Sequence, residues 1–241
     1  MATWVSHLII ADKALAQMPQ LDRRGFCVGS IAPDCNVENA DGTDFTPSRE
    51  TTHWMRVKGD KCSADCDGFL RAYIEDRRDA IRSDEEYAFL LGYAAHLVAD
   101  AEFQRFIRDD EARISAAWAR VLSCPALAEK ARGMEKSWAS IKRLIPKDER
   151  MKDIYTIEAD YLAAHPGSGY LTEILPLTSF PDYIDYLPKG AIVRKIGVMG
   201  YLPKAAESAY PFAALSREEY DSYLGRAAEL AIAAISRRRR E

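Results

Sequence analysis

His96 and Asp100 stand one helical turn apart in Phe89-Leu90-Leu91-Gly92-Tyr93-Ala94-Ala95-His96-Leu97-Val98-Ala99-Asp100, a stretch that is otherwise almost wholly apolar. On a helix, residues four apart lie above one another on one face. Leu90, Leu91, Ala94, Ala95, Leu97 and Val98 make the remaining surface apolar nearly all round, which predicts a buried helix. A buried imidazole and a buried carboxylate are costly unless something satisfies both. A metal ion does so. The chain has only 4 histidines, so one placed here carries weight.

Three more polar residues occupy positions that attract notice. His7 lies on an apolar stripe with Trp4, Ala11 and Leu15, where a lone histidine reads as a satisfied core residue. Asp34 follows Pro33 in Gly29-Ser30-Ile31-Ala32-Pro33-Asp34-Cys35-Asn36 and alone reads as a turn or N-cap aspartate. His53, beside Trp54, reads as partly buried. Each is bland in isolation; their order and spacing are not. Two weaker metal candidates exist. Cys62 and Cys66 could share a helix face, but no second Cys pair or nearby His supports them. Glu158, Tyr161 and His165 share a face, yet Glu158 and His165 are separated by roughly 10 Å along the axis. His165 also precedes Pro166-Gly167, where the helix dipole alone favours a histidine.

The elements that position these residues are helical. Trp4, His7, Leu8, Ala11, Ala14, Leu15 and Met18 follow helical spacing, and Pro19 ends the segment. Residues 25–60 are rich in Gly, Pro, Asp, Asn and Thr without a clear period and read as a long loop region. Phe69, Leu70, Tyr73, Ile74 and Ile81 mark a second helix. Ser83-x-x-Glu86 is a capping box that opens the buried third helix, running to about Ile107. Further helices are expected at about 109–123, 126–144, 148–165 and 217–236. Residues 166–216 carry six prolines and several aromatics and read as loops and short helices. Strand-like alternation and internal repeats are absent. The fold class is all-α, a single multi-helix domain over residues 1–241 built around the His96 helix.

Composition excludes several classes. With 48% hydrophobic and 29% charged residues the chain is globular rather than disordered. A net charge of −4 and a pI near 5.7 give no bulk attraction to nucleic acid or anionic membrane, so stable nucleic-acid binding is not expected. The Arg237-Arg238-Arg239-Arg240 run reads as a solvated helix end. No apolar run approaches the roughly 18 residues of a transmembrane helix. The N-terminus lacks a basic segment ahead of an apolar one, and 5 cysteines accompany no export signal, so a cytoplasmic location with reduced thiols is expected. There is no Gly-x-Ser-x-Gly, no cysteine with a nearby histidine, and no His-Asp dipeptide of the HD phosphohydrolases.

Four segments together resemble the bacterial zinc-dependent phospholipase C proteins. They are the helix His7 to Leu15, the Gly29-Ser30-Ile31-Ala32-Pro33-Asp34 turn, Thr52-His53-Trp54, and the helix Phe89 to Asp100. The resemblance implies an all-helical fold and a cluster of zinc ions. It implies that Asp34, His53 and His96 hold one zinc and that Asp100 bridges it to a second, which His7 also binds. Imidazole with carboxylate suits Zn²⁺. Such ions activate a water and neutralise phosphoryl charge, with Asp34 as general base if one of its oxygens stays free. Gly92, a turn before His96, would leave room for an approaching loop or for substrate.

The chain departs from the pattern in two places. Secreted members use the free amine of an N-terminal Trp, whereas Trp4 is internal. The remaining zinc site, a His followed by a His and a Glu, has no counterpart after Asp100. The expected complement is therefore one or two zinc ions, with three as the limit. The resulting expectation is a metal-dependent hydrolase of a small-molecule or lipid phosphoester. The alternative is a non-catalytic helical protein with a structural or vestigial metal, whose coordination shell would be closed.

Overall fold

A computed structural model describes residues 2–39, 44–58 and 61–237 of the chain. The described residues are all-α, as the periodicity predicts. Two antiparallel ribbons are the exceptions: β1 (Val37–Glu38) with β2 (Phe45–Thr46), and β3 (Met55–Lys58) with β4 (Lys61–Ala64). They are too short to form a layer. No helix is long and apolar enough to cross a membrane.

The chain divides into two compact units. One comprises residues 1–101, 166–201 and 225–241; the other comprises residues 102–165 and 202–224. In the first, α1 (Trp4–Gln17) begins at a reciprocal cap, the Thr3 side chain accepting from Ser6 N while the Ser6 side chain answers the Thr3 backbone. Its residues from Trp4 to Ala11 are all buried, so this helix has no wet face along its first two turns. The central helix α5 (Asp84–Arg108) is buried from Ala88 to Leu97, as the apolar run predicts.

Residues 25–60 are less loop-like than composition suggests. Asp22 caps α2 (Arg23–Gly29), a 3-10 turn covers Ala32–Asp34, and Ser48 caps α3 (Arg49–Thr52). The glycines that read as loop signals belong to a close helix contact instead. A Cβ on Gly25 or Gly29 would collide with the carbonyl oxygen of Glu85 or Phe89 in α5. Conversely, a Cβ on Gly92 would collide with the Phe26 carbonyl of α2 and lie 3.0 Å from Ser30 N. The room at Gly92 is filled by α2 backbone, not by a loop or substrate.

Beyond α3 the expected second helix is composite: α4 (Cys66–Leu70) passes into a π turn over Arg71–Glu75 and a 3-10 turn over Arg78–Ala80. Cys62 lies in β4 and Cys66 opens α4, so the shared helix face does not form. Residues 166–216 contain a π turn at Tyr170–Ile174 and α10 (Ala191–Met199), as expected of loops and short helices. The final helix α11 (Arg217–Ser236) ends before the arginine run, of which Arg238, Arg239 and Arg240 fall outside the described residues.

In the second unit, α6 (Glu111–Ser123), α7 (Pro125–Lys130) and α8 (Trp138–Leu144) pack around Ile114, Ala117, Val121, Leu127 and Ile141. The single helix expected over 126–144 is broken. The first piece closes at Ala131, Gly133 then turns the chain at φ 76°, a left-handed conformation, and Ser137 caps the second piece. Helix α9 (Lys147–Ala164) follows. Arg113 is buried, and its guanidinium donates to the carbonyls of Phe106, Ile107 and Ala214, tying three chain segments together.

Candidate metal centre

His7 projects from the first turns of α1, Asp34 ends the 3-10 turn after α2, His53 caps the C-terminus of α3, and His96 and Asp100 share one face of α5. All belong to the first unit. Among the described residues two groups can hold an ion: His7, His96 and Asp100, and Asp34, His53 and His96. The ligand atoms of each lie within 4.8 Å of one another. The residues singled out along the sequence thus converge, with His96 common to both groups.

The geometry follows from how each ring is held. His96 Nδ1 lies 2.9 Å from the Ser30 carbonyl. A carbonyl only accepts, so Nδ1 carries the proton and the lone pair is on Nε2. That Nε2 is 3.4 Å from Nε2 of His53, whose Nδ1 is paired with the Thr52 hydroxyl at 2.9 Å. His53 Nε2 is also 3.3 Å from Asp34 Oδ1 and 3.7 Å from Asp100 Oδ2. His7 stacks on His96 with ring centroids 3.7 Å apart, and its Nε2 lies 3.6 Å from Asp100 Oδ1. Both ring nitrogens of His7 are buried with no hydrogen-bond partner. A native core rarely leaves an imidazole this way, because the desolvated nitrogens cost free energy. Metal binding fits the donor set: two triads of imidazole and carboxylate that share His96.

Electrostatics agree with that donor set. Burial, joined by the neighbouring His7 ring, holds His96 neutral and brings its pKa down to about 3. Burial raises Asp34, but the His53 bond and the His96 and His7 rings outweigh it, leaving it at about 2. Asp100 is likewise held well below the usual carboxylate range against its burial, by His7 and His96. The signs coincide for stability. His96 has a folded pKa below its ordinary 6.5, so the unfolded chain takes up a proton first and stability is lost as pH falls from about 6.5 toward 3. Asp34 adds a further loss as pH falls from 3.8 toward 2. Metal-free protein is therefore expected to melt at a lower temperature at about pH 4.5 than at about pH 7.5. The His96→Gln variant should show less of that difference. Equal slopes for both proteins would contradict a buried neutral His96.

Several contacts around the cluster escape sequence reasoning. Trp4, placed on the core stripe, also donates its indole N–H to Asp34 Oδ2 at 3.2 Å. Arg49 Nη2 donates to Asp100 Oδ2 at 2.8 Å, and the Ala2 backbone N–H donates to Oδ1 at 3.3 Å. The sequence signal for Arg49 is slight: it stands one helical turn before His53, within a stretch lacking a period. His165 and Glu158 stay outside both groups. His165 caps α9 in the second unit, exposed, with Nδ1 donating to the Tyr161 carbonyl at 2.8 Å. Glu158 is buried and accepts from the Tyr220 hydroxyl at 2.8 Å.

A helical scaffold that gathers three histidines and two aspartates into a buried cluster defines a candidate metal-binding all-α protein. Residues 6–102 match the family model described as zinc dependent phospholipase C. That stretch holds every residue of the cluster, and over it the chain is similar to this family. No curated protein and no solved structure matches the chain.

Proposed function

We propose that the chain is a metal-dependent hydrolase of phosphoesters, its zinc held by Asp34, His53 and His96 with Asp100 and His7 completing the cluster. The observation that carries this reading is the convergence of His53 Nε2, His96 Nε2 and Asp34 Oδ1, beside a buried His7 with two unpartnered nitrogens. Bound zinc supplies Lewis-acid polarisation of the phosphoryl group and a nucleophilic water at neutral pH. The rest falls to the chain's own residues. Ser30 fixes the tautomer of His96 and Thr52 orients His53.

Asp34 is the base. Its side chain is 11% exposed, against 3% for Asp100, so of the two carboxylates it is the more open to water. The Trp4 indole occupies one lone pair of Oδ2 and sets the carboxylate plane, leaving the other lone pair to take a proton from the attacking water. A lipid phosphoester agrees with the family description, and a soluble phosphodiester or phosphomonoester presents the same reacting group. A structural metal is the second reading. It draws support from Asp100, whose two oxygens both accept protein N–H groups, as in a closed shell.

One experiment separates the readings. Purified protein should carry about one to two equivalents of zinc and hydrolyse a chromogenic phosphodiester or phosphomonoester. Chelator should abolish turnover and zinc restore it. Zinc without turnover of either ester would favour the structural reading, and protein that neither carries nor takes up zinc would overturn both.

A further inference from the structure

Arg49 is the first residue of α3, one turn before His53, and both side chains meet α5 at the same atom. Arg49 Nη2 lies 2.8 Å from Asp100 Oδ2, and His53 Nε2 lies 3.7 Å from it. The other Asp100 oxygen accepts the Ala2 N–H. Asp100 is therefore engaged by a nitrogen donor on each oxygen, and the Arg49 guanidinium already brings it the positive charge that a second ion would supply. His96 points the same way. Its Nδ1 is committed to the Ser30 carbonyl, so Nε2 is the one nitrogen it offers to the two candidate groups. One lone pair binds one ion. The two triads are thus halves of a single centre rather than two filled sites.

We propose that Arg49 takes the place of a second metal ion: its guanidinium neutralises Asp100 and presents its outer N–H groups to a phosphoryl oxygen of the substrate. A phosphoester centre needs positive charge beyond one zinc to offset the charge on the phosphoryl oxygens. A guanidinium is always charged, and its planar fork can hold a carboxylate on one edge and match phosphate oxygens on another. Exposure fits this double duty. The Arg49 side chain is 31% exposed while the Asp100 side chain is 3% exposed, so the fork reaches from the buried carboxylate toward solvent. The ligand class is a phosphate ester or inorganic phosphate. This inference rests on the hydrolase reading above for the identity of the ion beside it.

The test uses zinc content and calorimetric binding of inorganic phosphate to zinc-loaded wild type, Arg49→Ala and Arg49→Lys, with steady-state kinetics alongside. Wild type should saturate at one zinc in the cluster. Arg49→Ala frees Asp100 and should take up a second, weaker equivalent when zinc is in excess. Its phosphate affinity should fall at least about tenfold, the loss of a charge-assisted contact. Arg49→Lys keeps the charge without the fork and should fall between, which also covers poor folding of the alanine variant. A merely structural arginine would leave phosphate affinity and KM unchanged in correctly folded variants. That result, or two zinc ions bound to the wild-type cluster, overturns the proposal. Its failure is distinct from failure of the hydrolase reading, in which His53→Ala would hold zinc as wild type does or wild type would hold none.

Discussion

Replacing His96 with alanine is expected to release the metal and lower the melting temperature together. His96 Nε2 serves both candidate groups, so the substitution removes a ligand from each. Metal that binds only the folded chain stabilises it by about 2.7 kcal/mol at a free concentration a hundredfold above Kd. That stabilisation goes with the ligand, because a site assembled by folding links binding to folding. Two smaller losses persist without metal. The Ser30 carbonyl loses its donor, and the stacked His7 ring loses its neighbour in a fully buried position. The experiment is a pair of melts for each protein, zinc-loaded and chelated, with zinc content measured on the same samples. The gap between wild type and variant should be wide with zinc and narrower with chelator. A variant that retains wild-type zinc removes His96 from the site.

Gly92→Ala should be almost as damaging, although a methyl group in mid-helix normally stabilises. Alanine is the better helix former, so propensity alone would favour it by about 1 kcal/mol. Packing reverses the sign. The new Cβ would land on the Phe26 carbonyl and 3.0 Å from Ser30 N, both backbone groups that cannot rotate away. Forcing α2 from α5 falls among overpacking changes, which cost about 1–3 kcal/mol and occasionally more. In a protein of this size each kcal/mol lowers Tm by about 2–4 °C. A functional consequence follows, because Ser30 is the residue whose carbonyl sets the His96 tautomer. Zinc affinity should therefore weaken along with stability. A variant as stable as wild type would show that the helices separate freely and that the glycine seam does not position the centre.

The same seam marks a boundary of what could be read from the chain. Helices α1 and α5 were legible because helical spacing is a local property: an apolar residue every third or fourth place commits the backbone before any distant contact forms. The sharing of one face by His96 and Asp100 follows from the same period. Gly25 and Gly29 misled because a glycine chosen for close approach has the same letter as one chosen for a turn. Only the position of α5 tells the two apart. Gly133 was the reverse case, a glycine at positive φ that turns the chain between two short helices where periodicity ran on.

By itself, then, the sequence determined an all-helical chain, a buried helix carrying a histidine and an aspartate on one face, and the ordered set of His7, Asp34 and His53 that resembled a zinc family. Tertiary structure alone decided that these residues meet, and what surrounds them. Trp4 reaches Asp34 across 30 positions of chain, Arg49 reaches Asp100 across 51, and Ser30 reaches His96 across 66. No local rule encodes such pairs. They depend on where α2, α3 and α5 come to rest, and that is set by the summed packing of backbone and side chains far apart in sequence. Asp100 shows the difference most plainly: its place on the helix came from a four-residue spacing, but its partners came from the fold.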